Sequence, residues 1–282
     1  MPDVRIVTTL PYALALEDGD YPTPSVGGFV TLTQIGLDVS ESGAGEPRTS
    51  ASSVFRSGEH TQTSEVERQR QAVRLFRRVN HLIRWYRAAS AQPEVLELSL
   101  AQAGRFTFID EATGATWGGR PLEYTLPPAT PRPPAEIDEA VRAGLASRAE
   151  PDVGVLNVLD AVHAMNTGRF REAVLLAWSA IDATFAQAYE RVVGPMLAGE
   201  YAEGRDFLLG HEIPMKVRMS AVLYLAARRS MFRDLGPDGW AQLVASYNIR
   251  NDVVHRGAIA TEAQAEASIA AARRVIAVAQ SL

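Results

Sequence analysis

The chain's 282 residues are enough for two domains, and 46% hydrophobic beside 22% charged residues is the balance of a soluble globular protein. A net charge of −5 argues against a coat that wraps nucleic acid non-specifically and leaves room only for a local basic site. The absence of cysteine excludes disulfides, thiolate metal ligands and cysteine nucleophiles. No apolar run approaches the ~20 residues that span a bilayer, and the start lacks the basic-then-apolar pattern of a secretory signal, so a membrane-free, cytoplasmic protein is expected.

Short β-branched runs bounded by Gly, Pro, Asp and Ser come first, in "VRIVTTLPYALAL" and "GGFVTLTQIGLDVS". The stretch "SESGAGEPRTSASS", 40–53, reads as a flexible loop by composition. One strong helix is predicted over 64–90, with Ser64 and Glu67 in a capping-box pattern. Its apolar face is Leu75, Phe76, Val79, Leu82, Ile83 and Tyr86. Arg70, Arg74, Arg77, His81 and Arg84 form a stripe on the opposite side, either a phosphate grip or a solvated face. "VLELSL" (95–100) and "RFTFID" (105–110) alternate as strands do, with Ala101–Gly104 between them, and "ATGATWGGR" is turn-rich.

The sharpest punctuation is "LPPATPRPP", 126–134, whose five prolines predict an extended, semi-rigid connection. The expected domains are therefore 1–126, a mixed α/β recognition or sensor domain, a linker over 127–149, and a helical domain over 150–282. Helices are predicted over 152–166, 169–193, 213–232, 236–257 and 261–281, with Gly168, Gly194-Pro195 and Gly257 as stops. Short connections favour an antiparallel bundle. The fold class is α+β.

Familiar catalytic motifs are absent: no GxxxxGK[ST], no GxGxxG after a strand, no HExxH and no GxSxG. The five histidines, at 60, 81, 163, 211 and 255, make no ligand pair at helical spacing, and "HEIP" at 211–214 suits zinc poorly. No metal and no cofactor is expected. Of the 28 basic residues only Lys216 is a lysine, a coding bias that weakens any argument from an arginine alone.

One constellation stands out. "SYNIRNDVVHRG", 246–257, spells R-N-x-x-x-H with Arg250, Asn251 and His255 on the penultimate helix, and "AWSAID" upstream places Asp182 in an apolar helix middle. Together these resemble the HEPN domain (higher eukaryotes and prokaryotes nucleotide-binding) over roughly 150–282, although many members carry Glu where Asp182 stands. The resemblance implies an antiparallel helical bundle, a homodimer, and a metal-independent endoribonuclease of the kind found in toxin–antitoxin and antiviral defence systems. Arg250 and His255 would then be catalytic, Asn251, Tyr247 and Arg256 would contact substrate, and Asp182 would support them.

The residue types suit that chemistry. An imidazole with an ordinary pKa of about 6.5 can take or give a proton near neutrality, and a guanidinium presents a fork to phosphate oxygens. Cleavage through a 2′,3′-cyclic phosphate needs both. In a straight helix, however, Arg250 and His255 point roughly 140° apart. Two other readings stand beside the nuclease. One is a catalytically silent module for dimerisation and for partner or ligand binding, with Asp182 and Arg250 as a buried structural pair. The other is a nucleotide-binding accessory to a transferase. RNA, a second copy, and a protein partner or trigger ligand at the first domain are the partners expected.

Overall fold

The computed structural model describes residues 3–10, 12, 14–24, 28–35, 48–56, 65–99, 106–118, 133–197 and 213–282. These fall into two units, Met1–Pro151 and Asp152–Leu282. The architecture is α+β: among the described residues, an antiparallel sheet with two helices in the first unit and helices alone in the second. No described helix is long and apolar enough to cross a membrane.

In the first unit, alternation buries one side of each strand. Strand β1 (Asp3–Thr9) hides Val4, Ile6 and Thr8 and exposes Arg5. β2 (Gly19–Pro22), β3 (Phe29–Ile35), β4 (Arg48–Arg56), β5 (Thr107–Asp110) and β6 (Thr116–Gly118) complete a six-stranded sheet in the order β2-β3-β4-β1-β5-β6. Every pairing is antiparallel. Helix α1 (Glu65–Ser90) buries Leu75, Val79, Leu82, Ile83 and Tyr86 in the core with the sheet's apolar side chains. Phe76, expected in that face, is only partly buried.

Three expectations need correction. The loop predicted over 40–53 is, from Arg48 onward, strand β4, paired with both β1 and β3. Its Ser and Thr residues look loop-like by composition, yet Thr49, Ala51 and Ser53 alternate into the interior. The strand predicted over 95–100 has no ladder through 95–99. Leu98 instead exchanges two hydrogen bonds with one side chain: its N–H donates to Asn80 Oδ1 (2.8 Å), and Asn80 Nδ2 donates to its carbonyl (3.0 Å).

The linker predicted over 127–149 contains helix α2 (Pro134–Ala146), with Pro133 as N-cap and Pro134 in the first turn, where proline is tolerated. Ile137, Val141 and Leu145 belong to the first unit's core. Gly144 lets the backbone approach Trp85 of α1, since a Cβ there would lie 2.2 Å from Trp85 Cε3. Asp138 fastens α2 further, accepting from the Tyr21 hydroxyl, the Glu17 N–H (3.2 Å) and Arg142 Nε (2.6 Å). Burial works against this carboxylate, but those donors outweigh it and hold its pKa below the usual range. The first unit ends at Pro151. Ser64, 40–47, 101–104 and 126–132 lie outside the described residues, as does the Glu67 side chain of the expected cap.

The stripe on α1 is not uniform. Arg70, Arg74 and Arg77 are exposed, but His81 is fully buried. Its Nδ1 lies 3.4 Å from Glu150 Oε2, which also receives Arg84 Nη2 at 3.2 Å. Burial lowers the pKa of His81; Glu150 draws it back and Arg84 opposes that. A histidine held neutral in the fold binds its proton more readily when unfolded. Stability is thus complete above about pH 6.5 and is lost as pH falls through the lower folded pKa. Denaturant titrations at several pH values should show this loss in the wild type and a flatter profile in His81→Gln. An unchanged acid slope in the variant would assign the titration elsewhere.

In the second unit, helices α3 (Val153–Asn166), α4 (Phe170–Val193), α6 (Met231–His255) and α7 (Glu262–Gln280) are joined by α5. Helix α5 consists of Met215–Val217 and Leu223–Ala227 with a π-helical turn, Arg218–Val222, between them. Asp152 caps α3 through Gly154 N–H (2.7 Å), and Thr261 with Gln264 forms a capping box on α7. Gly236 breaks α6 near its start with φ +71°. Helix α4 packs against each of the other four, and its Ala177, Trp178, Ile181 and Phe185 sit in the unit's core.

Candidate functional site

The centre of the site is a tryptophan. Trp178 of α4 is buried, and its Nε1 donates to the Ser246 carbonyl (3.1 Å) and to Ser246 Oγ (2.8 Å) on α6. Ser246 Oγ donates to Ser268 Oγ (3.1 Å) on α7, and Ser268 Oγ donates to the Gln264 carbonyl (2.9 Å). This relay fixes the rotation of α6 about its axis. The next residue, Tyr247, meets the Trp178 ring edge-on, with centroids 5.4 Å apart. Arg250 follows three positions on, on the same side of the helix. On α4, Asp182 stands one turn after Trp178.

These side chains line one polar cleft of about 330 Å³, walled by Trp178, Asp182, Ile213, Pro214, Met215, Arg218, Tyr247 and Arg250. Asp182 is exposed within it, and Arg250 is half-buried. Arg250 Nη1 donates to Asn251 Oδ1 at 3.1 Å, and among the described residues Arg250 makes no ion pair. The buried Asp182–Arg250 pair considered from the sequence is therefore not formed. Lys216 places its Nζ 4.7 Å above the Tyr247 ring, a cation–π contact at the cleft's edge.

Of the six residues singled out in the sequence, three line the cleft: Arg250, Tyr247 and Asp182. Asn251 is half-buried beside Arg250 and bonded to it. His255 and Arg256 do not line the cleft. Helix α6 runs unbroken from Pro237 to His255, so His255 sits about 140° around the axis from Arg250, and it is exposed. Arg256 caps the helix, mostly solvent-facing, with its Nη1 2.9 Å from Asp252 Oδ1.

Five cleft residues escaped sequence reasoning, Ile213, Pro214 and Met215 on the apolar wall and, more consequentially, Trp178 and Arg218, as did Lys216 at its edge. An arginine in "IPMKVRMS" carries no signal in a chain whose cations are almost all arginine, and the π turn that positions it has no sequence signature. The lone lysine next to it was the available hint. Among the described residues, no group of three or more His, Asp or Glu is placed to hold a metal ion. No family model, curated protein or solved structure matches the chain.

Proposed function

We propose that residues 152–282 form a HEPN-type endoribonuclease module. It seats an RNA phosphate on Arg250 in the cleft and transfers protons through His255, with two copies completing each site. The observation that carries this is the polar cleft in which Arg250, without an ion pair among the described residues, shares a wall with Tyr247 and Asp182. The guanidinium supplies a fork for phosphate oxygens and the tyrosine an aromatic face for a base.

The reaction is a transesterification. One imidazole takes the proton from a 2′-hydroxyl, the 2′-oxygen forms a bond to phosphorus, and the P–O5′ bond breaks. The imidazolium so formed returns the proton to the departing 5′-oxygen. The products are a 2′,3′-cyclic phosphate and a free 5′-hydroxyl. Because His255 points away from its own cleft, a second copy must bring its His255 to it. The homodimer belongs to this reading for that reason.

The orientation of His255 also favours one other reading, a silent module in which the cleft binds a phosphate-bearing ligand without cutting it. Incubating the pure full-length protein with total RNA separates the two. The nuclease reading expects fragments ending in 2′,3′-cyclic phosphate, undiminished by EDTA, from RNA but not from DNA of the same sequence, which has no 2′-hydroxyl. Binding dependent on Arg250 with every RNA left intact would establish the silent module.

A further inference from the structure

We infer that Arg218 is a second phosphate-binding residue of the cleft, closing on the same phosphate ester as Arg250. This rests on the cleft being an RNA phosphate site, and it adds a residue that the R-N-x-x-x-H pattern does not contain.

The first observation is an unsatisfied guanidinium. Arg218 lines the cleft and is half-buried, its Nε is buried with no hydrogen-bond partner, and among the described residues it makes no ion pair. Among the described residues its only ring contact is distant, with Cζ 6.0 Å from the Tyr189 centroid, the outer edge of cation–π range. A buried donor without an acceptor is costly, so a turn of the side chain that brings the guanidinium onto a bound oxyanion in the cleft would relieve it.

The second observation is the backbone that carries it. Arg218 opens the π-helical turn Arg218–Val222, flanked by ordinary α-helical residues on both sides. Single π turns inside helices are rare and gather at functional sites, because the extra residue re-aims the side chains beside it.

The third is charge and geometry together. Among the described residues, Arg218, Arg250 and nearby Lys216 outnumber the one carboxylate that lines the cleft, Asp182, in a chain whose net charge is −5. The cleft therefore selects an anion. A planar carboxylate is saturated by a single guanidinium fork, whereas a tetrahedral phosphate offers oxygens in two directions and can accept from two forks at once. That chemistry has two sources in RNA, an internal phosphodiester and a terminal phosphomonoester.

The test measures binding of a 2′-O-methyl oligonucleotide, which lacks the attacking hydroxyl, by fluorescence anisotropy over a range of salt concentrations. The full-length wild type is compared with Arg218→Gln, Arg218→Lys, Arg250→Gln and the exposed-site control Arg273→Gln. Arg218→Gln should weaken binding about tenfold to a hundredfold and flatten the salt dependence by about one phosphate contact, while Arg273→Gln changes affinity less than about twofold. The oligonucleotide is used with and without a 5′-phosphate. A wild-type gain from that phosphate, lost in Arg218→Gln, identifies the monoester as the source; loss of binding to both forms alike identifies the diester. If Arg218→Gln fails to fold, Arg218→Lys, which keeps the charge but not the fork, must bind more weakly, and wild-type binding by the folded lysine variant overturns the inference. Wild-type binding by Arg218→Gln alongside lost binding in Arg250→Gln also overturns it and leaves the cleft standing. A wild type that neither binds nor cleaves RNA removes the underlying reading instead.

Discussion

Mixing equal amounts of Arg250→Ala and His255→Ala protein should restore about a quarter of the wild-type cleavage rate, although each variant alone is nearly inactive. Random exchange makes about half of the dimers mixed. In each of these, one site receives Arg250 from one copy and His255 from the other, while the second site receives neither. The expectation comes from geometry: α6 is straight up to His255, so the imidazole cannot turn into the cleft that holds Arg250 on its own copy.

The single variants should differ in a way that reports their roles. His255→Ala should lose about a hundredfold to ten-thousandfold in rate, the usual contribution of a proton-transfer group, and still bind 2′-O-methyl RNA as the wild type does. Arg250→Ala should lose both binding and rate, because the guanidinium meets the phosphate before and during reaction. No recovery on mixing, with both variants folded and able to exchange partners, would mean that the site is not shared. Cleavage by His255→Ala at the parent rate would remove the imidazole from the chemistry altogether.

How much of this was legible depended on what each residue had to satisfy. Arg250 could be found because the R-N-x-x-x-H spacing resembles a known family's motif, Tyr247 as its neighbour, and Asp182 because an acidic residue stands in an apolar helix middle; the helices that carry them were legible from periodicity, which survives in a single sequence. The α1 face was legible for the same reason. Arg218 was not, since a π turn shifts the helical period by one residue and composition does not report it. Strand β4 was hidden by its own residues: "RTSASS" has the small polar composition of a loop, and only its pairing to β1 and β3 makes it a strand. At 95–99 the error ran the other way. Alternation was present, but the backbone partner was the Asn80 side chain rather than a neighbouring strand. Pro133 and Pro134 misled because proline both ends extended segments and opens helices, and only the burial of Ile137, Val141 and Leu145 decides between them. His81 looked like part of a solvated stripe because a face is only as wet as what covers it, and Glu150 lies far along the chain.

Trp178→Ala should destabilise the second unit by about 3–5 kcal/mol, the range for removing a large buried aromatic. Trp178 is only 3% exposed, sits in the core with Ala177 and Ile181, and is the link from α4 to the Ser246–Ser268 relay. Trp178→Phe keeps most of the apolar area and removes only the indole donor, so it should cost about 0.5–1.5 kcal/mol. Hydrogen exchange read by mass spectrometry distinguishes the two units of the intact chain. Protection should fall in α4, α6 and α7 and remain unchanged in β1, β4 and α1. The effect should extend to the cleft, because the tryptophan ring braces Tyr247 and sets the rotation of the helix that presents Arg250. In Trp178→Ala, affinity for 2′-O-methyl RNA should therefore fall even at temperatures where the unit remains folded, while in Trp178→Phe it should stay near the parent value. Wild-type protection in α4 and α6 of the alanine variant would show that the relay does not hold these helices. Weakened protection with unchanged affinity would separate the tryptophan's structural role from the cleft it lines.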